Sequence, residues 1–324
     1  MQLTRREILC GFGSLVLTRP SAAALGKSLR GVFVIMATPY TTAKDVDFED
    51  LAREVDFLDR CGVHGMVWPQ LASEYSLLRK EERLRGMETI SRAARGKKPA
   101  LVLGVQGPDK AAAIEYAERA ESLAPDALIA MPPSEGKSLD EYRDYYRALA
   151  RVSKRPIFIQ TTGGAKGLTP PVDMLVELAR EFPNYGYVKE EAQPVIERMT
   201  ALARQRPAVK AVFSGAAGRG MLYEARLGFD GTMPGAHYGD IHAQVFDLWH
   251  SGQKEKARDL FAKLLLLLET EQQIPGVRPY VLQRRGVAKT AVSRRSDAAP
   301  GKEAIQEIEF NLEILKPHLR VPIA

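Results

Sequence analysis

The stretch Asn184-Tyr185-Gly186-Tyr187-Val188-Lys189-Glu190-Glu191 places a lysine among strand-forming residues. On a strand the side chains alternate, so Tyr185, Tyr187 and Lys189 share one face while Val188 and Glu190 share the other. An ammonium that is partly desolvated loses its preference for the charged form, which makes a free amine available to attack a carbonyl. The Schiff base so formed draws electrons from the adjacent carbon, permitting carbon–carbon bond making or breaking beside a 2-oxo acid without a metal. The plain alternative is a lysine whose stem lies along apolar surface while its head pairs with Glu190 or Glu191. Strand position alone leaves both readings open.

The elements that must hold this lysine follow a simple rhythm. Strand candidates fall at Val32–Ala37, Gly65–Trp68, Ala100–Val105, Ala127–Met131, Pro156–Gln160, Tyr185–Lys189, Lys210–Ser214 and Gly231–Met233. Helical periodicity lies between them, at Phe48–Arg60, Glu81–Ala94, Lys110–Ser122, Leu139–Val152, Pro170–Glu181, Pro194–Gln205 and Gly218–Leu227. Eight strand–helix units predict an α/β fold, a closed (β/α)8 TIM barrel over residues 30–237, with a C-terminal helical extension over 238–317. The extension reads as helices at Tyr238–Ser251, Lys254–Gln272 and Gly301–Leu315. Its run Leu264–Leu268 is apolar all round and should be buried. Asp47 and Thr169 are expected N-caps, and Gly62, Gly96 and Gly228 expected helix stops. Active sites of such barrels sit at the C-terminal ends of the strands, which is where an inward-pointing Lys189 would lie.

Composition excludes several other classes. The 324 residues are 45% hydrophobic with only two cysteines, and none of the apolar runs approaches ~20 residues. Disorder, a disulfide scaffold and a polytopic membrane protein are therefore ruled out. The net charge of +6 is modest and lacks a basic stripe interleaved with aromatics, so no nucleic-acid partner is expected. No His/Cys/Asp/Glu grouping has metal spacing and no glycine-rich loop has a phosphate pattern, so neither metal nor cofactor is expected. Residues 1–24 combine Arg5-Arg6, an apolar run from Ile8 to Leu17 and Ala22-Ala23-Ala24. That is the pattern of a removable export signal, with a twin-arginine-like pair, and it predicts an exported, periplasmic protein free of the membrane once processed. Cys10 would leave with the signal, so Cys61 would stand alone.

The chain resembles the dihydrodipicolinate synthase and N-acetylneuraminate lyase family of Schiff-base (class I) aldolases from Gly31 to about Leu315. The motifs that carry the resemblance are Ala37-Thr38-Pro39-Tyr40, Gly62-Val63-His64-Gly65, Ser73-Glu74, Val188-Lys189-Glu190, Phe213-Ser214-Gly215, Gly228-Phe229-Asp230-Gly231 and Ile274-Pro275-Gly276-Val277-Arg278. The resemblance makes Lys189 the Schiff-base lysine and implies a homo-oligomer, a dimer or tetramer, acting on a small 2-oxo acid or sugar acid.

The departures from that pattern narrow the activity. Where the family has two threonines, this chain has Leu71 and Ala72; the family's proton-shuttling tyrosine falls on Gln160 and its arginine on Ala165; its partner-subunit tyrosine falls around Pro133-Ser134. An amide cannot exchange a proton near neutral pH, so dihydrodipicolinate synthesis is not expected. The expected substrate-binding residues are Ala72, Ser73, Gln160, Thr161, Ser214, Gly215 and Met233. Tyr187 and Glu74 are the candidate proton donors, with Tyr75 also on a rim loop. Tyr187 has a core-filling reading, Glu74 a loop-holding one, and His237 reads as a solvated loop histidine. Glu190 faces away. The basic stretch Arg284-Arg285, Lys289 and Arg294-Arg295 reads as solvated surface or a subunit contact. The leading function is lyase or aldolase chemistry at Lys189, the rival a degenerate scaffold that binds a small carboxylate or sugar acid without turnover.

Overall fold

A computed structural model describes residues 26–295 and 299–323. The expected export signal, with Cys10, lies outside the described residues. Eight parallel strands close into a barrel in sequence order: β1 (Gly31–Ile35), β2 (Gly65–Trp68), β3 (Ala100–Gly104), β4 (Ala127–Ala130), β5 (Ile157–Gln160), β6 (Tyr187–Glu190), β7 (Ala211–Ser214) and β8 (Gly231–Thr232). The helices between them are α1 (Phe48–Cys61), α2 (Lys80–Ala93), α3 (Lys110–Ser122), α4 (Leu139–Val152), α5 (Val172–Glu181), α6 (Val195–Ala203) and α7 (Met221–Arg226). This is the TIM barrel the strand–helix rhythm predicts.

Apart from the half-buried Tyr187 that opens β6, the strands are buried on both faces, since the inner face meets the barrel interior and the outer face meets helices. The interior is filled by Phe33, Phe158 and Phe213, whose rings meet at 5.2–6.2 Å, with Ile35, Val67, Val102, Ile129 and Met233 around them. Small residues make room for the rings. A Cβ at Gly65 would lie 2.3 Å from the Phe33 ring, and one at Gly231 would lie 2.4 Å from Phe213.

Local chemistry explains the boundaries. Asp47 accepts from the backbone N–H groups of Glu49 and Asp50 and starts α1; Gly62, at φ 68°, ends it. Thr169 does not cap α5, because the two prolines after it stay extended and the helix begins beyond them, at Val172. β6 starts two residues later than expected. Gly186 adopts φ 101°, which breaks the alternation, so Tyr185 turns outward and donates to the Tyr146 carbonyl on α4 at 2.6 Å. Tyr185 therefore does not share a face with Tyr187 and Lys189.

Beyond the strands come α8 (Gly239–His250), α9 (Lys254–Gln273), α10 (Val277–Arg284) and α11 (Lys302–Leu312). α8 packs on β1 between α1 and α7, so it completes the helical ring, and the extension proper begins at α9 rather than at residue 238. Leu264, Leu267 and Leu268 are buried as expected, whereas Leu266 is exposed. The helix is thus amphipathic, not apolar all round. α10 was not anticipated from the sequence. Much of the basic stretch is tied down: Arg285 is buried against Asp240, Arg294 pairs with Glu82, and the half-exposed Lys289 pairs with Asp47, Glu49 and Asp50, while Arg295 is exposed as expected.

Candidate active site

Lys189 points into the barrel at the C-terminal end of β6, between Gln160 of β5 and Phe213 of β7 in register. Its side chain is 5% exposed. Its Nζ donates to Gln160 Oε1 at 3.2 Å and lies 3.2 Å from Glu191 Oε2. Glu191 also accepts from Gln160 Nε2 and Thr162 Oγ1, both at 2.9 Å, and from the Ala216 N–H at 3.4 Å. Burial alone would raise this carboxyl, but the Lys189 charge, with hydrogen bonds from Thr162 and Lys189, outweighs it and holds Glu191 below the usual carboxylate range. Gly215 makes the approach possible: a Cβ there would sit 1.7 Å from Glu191 Oε1.

The sequence offers Glu191 only as an ion-pair partner of Lys189, alongside Glu190, and the pairing falls on Glu191. It lies two residues after Lys189, so the period-two rule carries it to the same face, whereas Glu190 turns outward. There Glu190 is fully buried, 3.0 Å from Arg198 and accepting from Thr161 at 2.5 Å.

The other expected residues divide by strand parity. Ala72 and Met233 line the cavity of about 240 Å³ that opens above Lys189 and Glu191, and Gln160 joins the lysine cluster beside it. Gly215 sits behind Glu191. Three hydroxyls expected to face the substrate do not. Thr161 receives the N–H groups of Glu191 and Ala192 and donates to Glu190 on the outer face. Ser214 donates to Glu224 of α7 and shares a hydrogen bond of 3.0 Å with the Thr232 hydroxyl, also outward. Ser73 is fully buried and closes its own turn, donating to the Met36 carbonyl at 2.6 Å and accepting from the Gln70 N–H.

Neither candidate proton donor faces the lysine. Tyr187 lies one layer below, packed on Phe158 at 5.3 Å with Lys210 Nζ at 5.6 Å from its ring. It lines the opening at the opposite, N-terminal end of the barrel, with Asp126 and Asp230, because one two-residue step down a strand moves away from the rim. Glu74 accepts from Ser293 Oγ and from the Arg294 N–H at 3.0 Å, fastening the segment before residue 296 to the rim. Tyr75 lies beside Arg83, whose guanidinium is 6.0 Å from its ring. His237 is not a solvated loop residue. It is 2% exposed, with Nε2 2.9 Å from Glu271, which also takes Arg278.

An inward lysine, a partly buried carboxylate in contact with it and a polar cavity above them suit addition of an amine to a carbonyl with a proton acceptor at hand. The chain is 28% identical over 265 residues to 4-hydroxy-tetrahydrodipicolinate synthase of Chlorobium chlorochromatii, covering 80% of this chain and 88% of that protein. It is 27% identical over 302 residues to the enzyme of that name from Chlorobium luteolum, covering 89% and 98%. Among solved structures it resembles dihydrodipicolinate synthase of Rhodopseudomonas palustris, with TM-score 0.78 and 22% identity over 88% of this chain and 97% of that one. The 4-hydroxy-tetrahydrodipicolinate synthase of Methylacidiphilum fumariolicum gives TM-score 0.79 and 19% identity over 90% and 97%. At those identities the structures speak for the fold. The sequence match to the Dihydrodipicolinate synthetase family runs over residues 28–313, and the chain belongs to that family.

Proposed function

We propose that the protein is a Schiff-base lyase or aldolase acting on a 2-oxo acid, with Lys189 as the nucleophile and Glu191 as the group that moves its protons. The observation that carries this is the contact of 3.2 Å between Nζ of the buried Lys189 and Oε2 of Glu191. Lys189 must lose a proton to attack, and Glu191 is placed to receive it. The amine adds to the carbonyl carbon, and the carbonyl oxygen leaves as water. The two hydrogens of that water come from the ammonium nitrogen through Glu191, and one proton stays on the iminium. The iminium then accepts the electron pair of the bond at the neighbouring carbon, giving an enamine. Gln160, which has no titratable proton, acts as a clamp on both groups.

This reading separates the protein from its named relatives. With Gln160, Ala165, Leu71 and Ala72 at the positions described above, we assign it a reaction other than dihydrodipicolinate synthesis. The N-terminal pattern supports export to the periplasm, which intact mass of the secreted protein would test. Homo-oligomerisation remains a proposal that sedimentation can test, since one solved relative of the same fold is described as a monomeric variant.

The test is solvent exchange into pyruvate. Formation of the iminium and enamine should replace the methyl hydrogens with deuterium in heavy water, seen as loss of the methyl proton signal. Wild type should exchange, Lys189→Ala should not, and Glu191→Gln should be slower by about 10²–10⁴-fold, the usual share of a positioned acid–base group. Exchange no faster than in buffer would leave a binding protein without turnover as the better reading.

A further inference from the structure

The cavity above Lys189 is more cationic than a single carboxylate requires. Arg219, Arg278 and Arg295 line it together with the lysine. Two of the four charges are matched: Lys189 by Glu191, and Arg278 by Glu271. Arg219 and Arg295 have no carboxylate at ion-pair distance among the described residues. They are held by backbone carbonyls instead, Arg219 by Ala216 at 3.3 Å and by Leu268, and Arg295 by Leu71 at 2.8 Å. Arg219 Nε is buried with no hydrogen-bond partner. Two uncompensated guanidiniums facing a pocket with apolar walls at Ile35, Leu71, Ala72 and Met233 form a receptor for an anion. Arg278 and Arg295 also line an adjoining cavity of about 390 Å³, together with Glu74 and Glu271, where a chain growing away from the imine would run.

We infer that the substrate of Lys189 is a 2-oxo dicarboxylate, its second carboxylate received by Arg219 and Arg295. The inference rests on the Schiff-base reading above and adds the substrate class to it. None of the positions where the family pattern is replaced (Leu71, Ala72, Pro133-Ser134, Gln160 and Ala165) supplies a cation, so the charge that selects this class comes from the loop after β7 and the segment after α10.

The test compares 2-oxoglutarate with 2-oxopentanoate, which has the same carbon count but a methyl end. Each is incubated with the protein and cyanoborohydride, and the concentration giving half-maximal adduct is read by intact mass. Wild type should favour the dicarboxylate by at least about tenfold. Arg295→Gln and Arg219→Gln should each bring the ratio towards one; Arg295 is exposed, so its variant serves if the other misfolds. A wild-type ratio near one, or a preference kept in both variants, would overturn the inference. The same pair of ligands titrated calorimetrically into Lys189→Ala reads the arginines without the imine. Preference there with no adduct on the wild type would sink the Schiff-base reading and keep the dicarboxylate site.

Discussion

Glu191 reaches Lys189 only because residue 215 has no side chain. A methyl group at Gly215 would occupy the place of Glu191 Oε1, and the flexible end of the glutamate would be the part to move. Gly215→Ala should therefore reproduce the slow exchange of Glu191→Gln with Lys189 untouched and the fold intact. Unchanged exchange in that variant would show that Glu191 is not the proton carrier. At this scale the sequence was readable where parity and motif agreed. Lys189 follows from its place on β6, and Glu190 turns away as the alternation requires. Ser73, Thr161 and Ser214 were misread because a hydroxyl suits a turn or a helix contact as well as a ligand, and in each case a nearby carbonyl, carboxylate or N–H took it. Arg219 was not singled out, and Arg295 was read only as surface or a subunit contact, because single cations scattered through distant segments have no local spacing.

Strands such as β3 and β4 were legible because each is a short, fully buried apolar run. α10 was not, since Val277–Arg284 carries Pro279 and shows almost no sidedness. Proline is tolerated there because the first turn of a helix has no backbone donor partner to lose. α1 carries a further consequence of packing. Glu54 is fully buried, accepts from the Ala37 N–H at 2.9 Å, and has its other oxygen without a partner. Burial pushes its carboxyl up to about 8 from the ordinary 4.5. The folded state thus binds a proton that the unfolded chain releases between those values. The stability this gives is full below about pH 4.5 and is lost as pH rises through 8. Glu54→Gln cannot ionise and should flatten the fall in melting temperature between pH 5 and 8. A parallel fall in both proteins would show that Glu54 is ionised or solvated in the native state.

The C-terminal segment is tied to the barrel by ion pairs whose partners are far apart in the chain, which is why the basic stretch looked like free surface. Arg285 is the deepest, bonded to both Asp240 oxygens at 2.9 and 2.6 Å and to the carbonyls of His237 and Val321. Removing one partner of a buried pair strands the other, so Arg285→Ala should lower unfolding stability by about 3–5 kcal/mol in urea titration. A loss below about 1 kcal/mol would mean water reaches Asp240. This attachment matters for the site, because the segment after α8 supplies Glu271, Arg278 and Arg295 to the cavities over the lysine. Whole-molecule architecture thus brings together what no local stretch contains: the proposed nucleophile from β6, a carboxylate two residues beyond it, and cations from the loop after β7 and from the extension. The claim that this assembly exists to hold an imine is tested most directly by hydride trapping. The protein is incubated with pyruvate and cyanoborohydride, weighed intact, and digested to locate the adduct. The account predicts one added pyruvate-derived group, on Lys189, absent from Lys189→Ala. An unmodified protein, or a modification spread over surface lysines and kept in the variant, would contradict it.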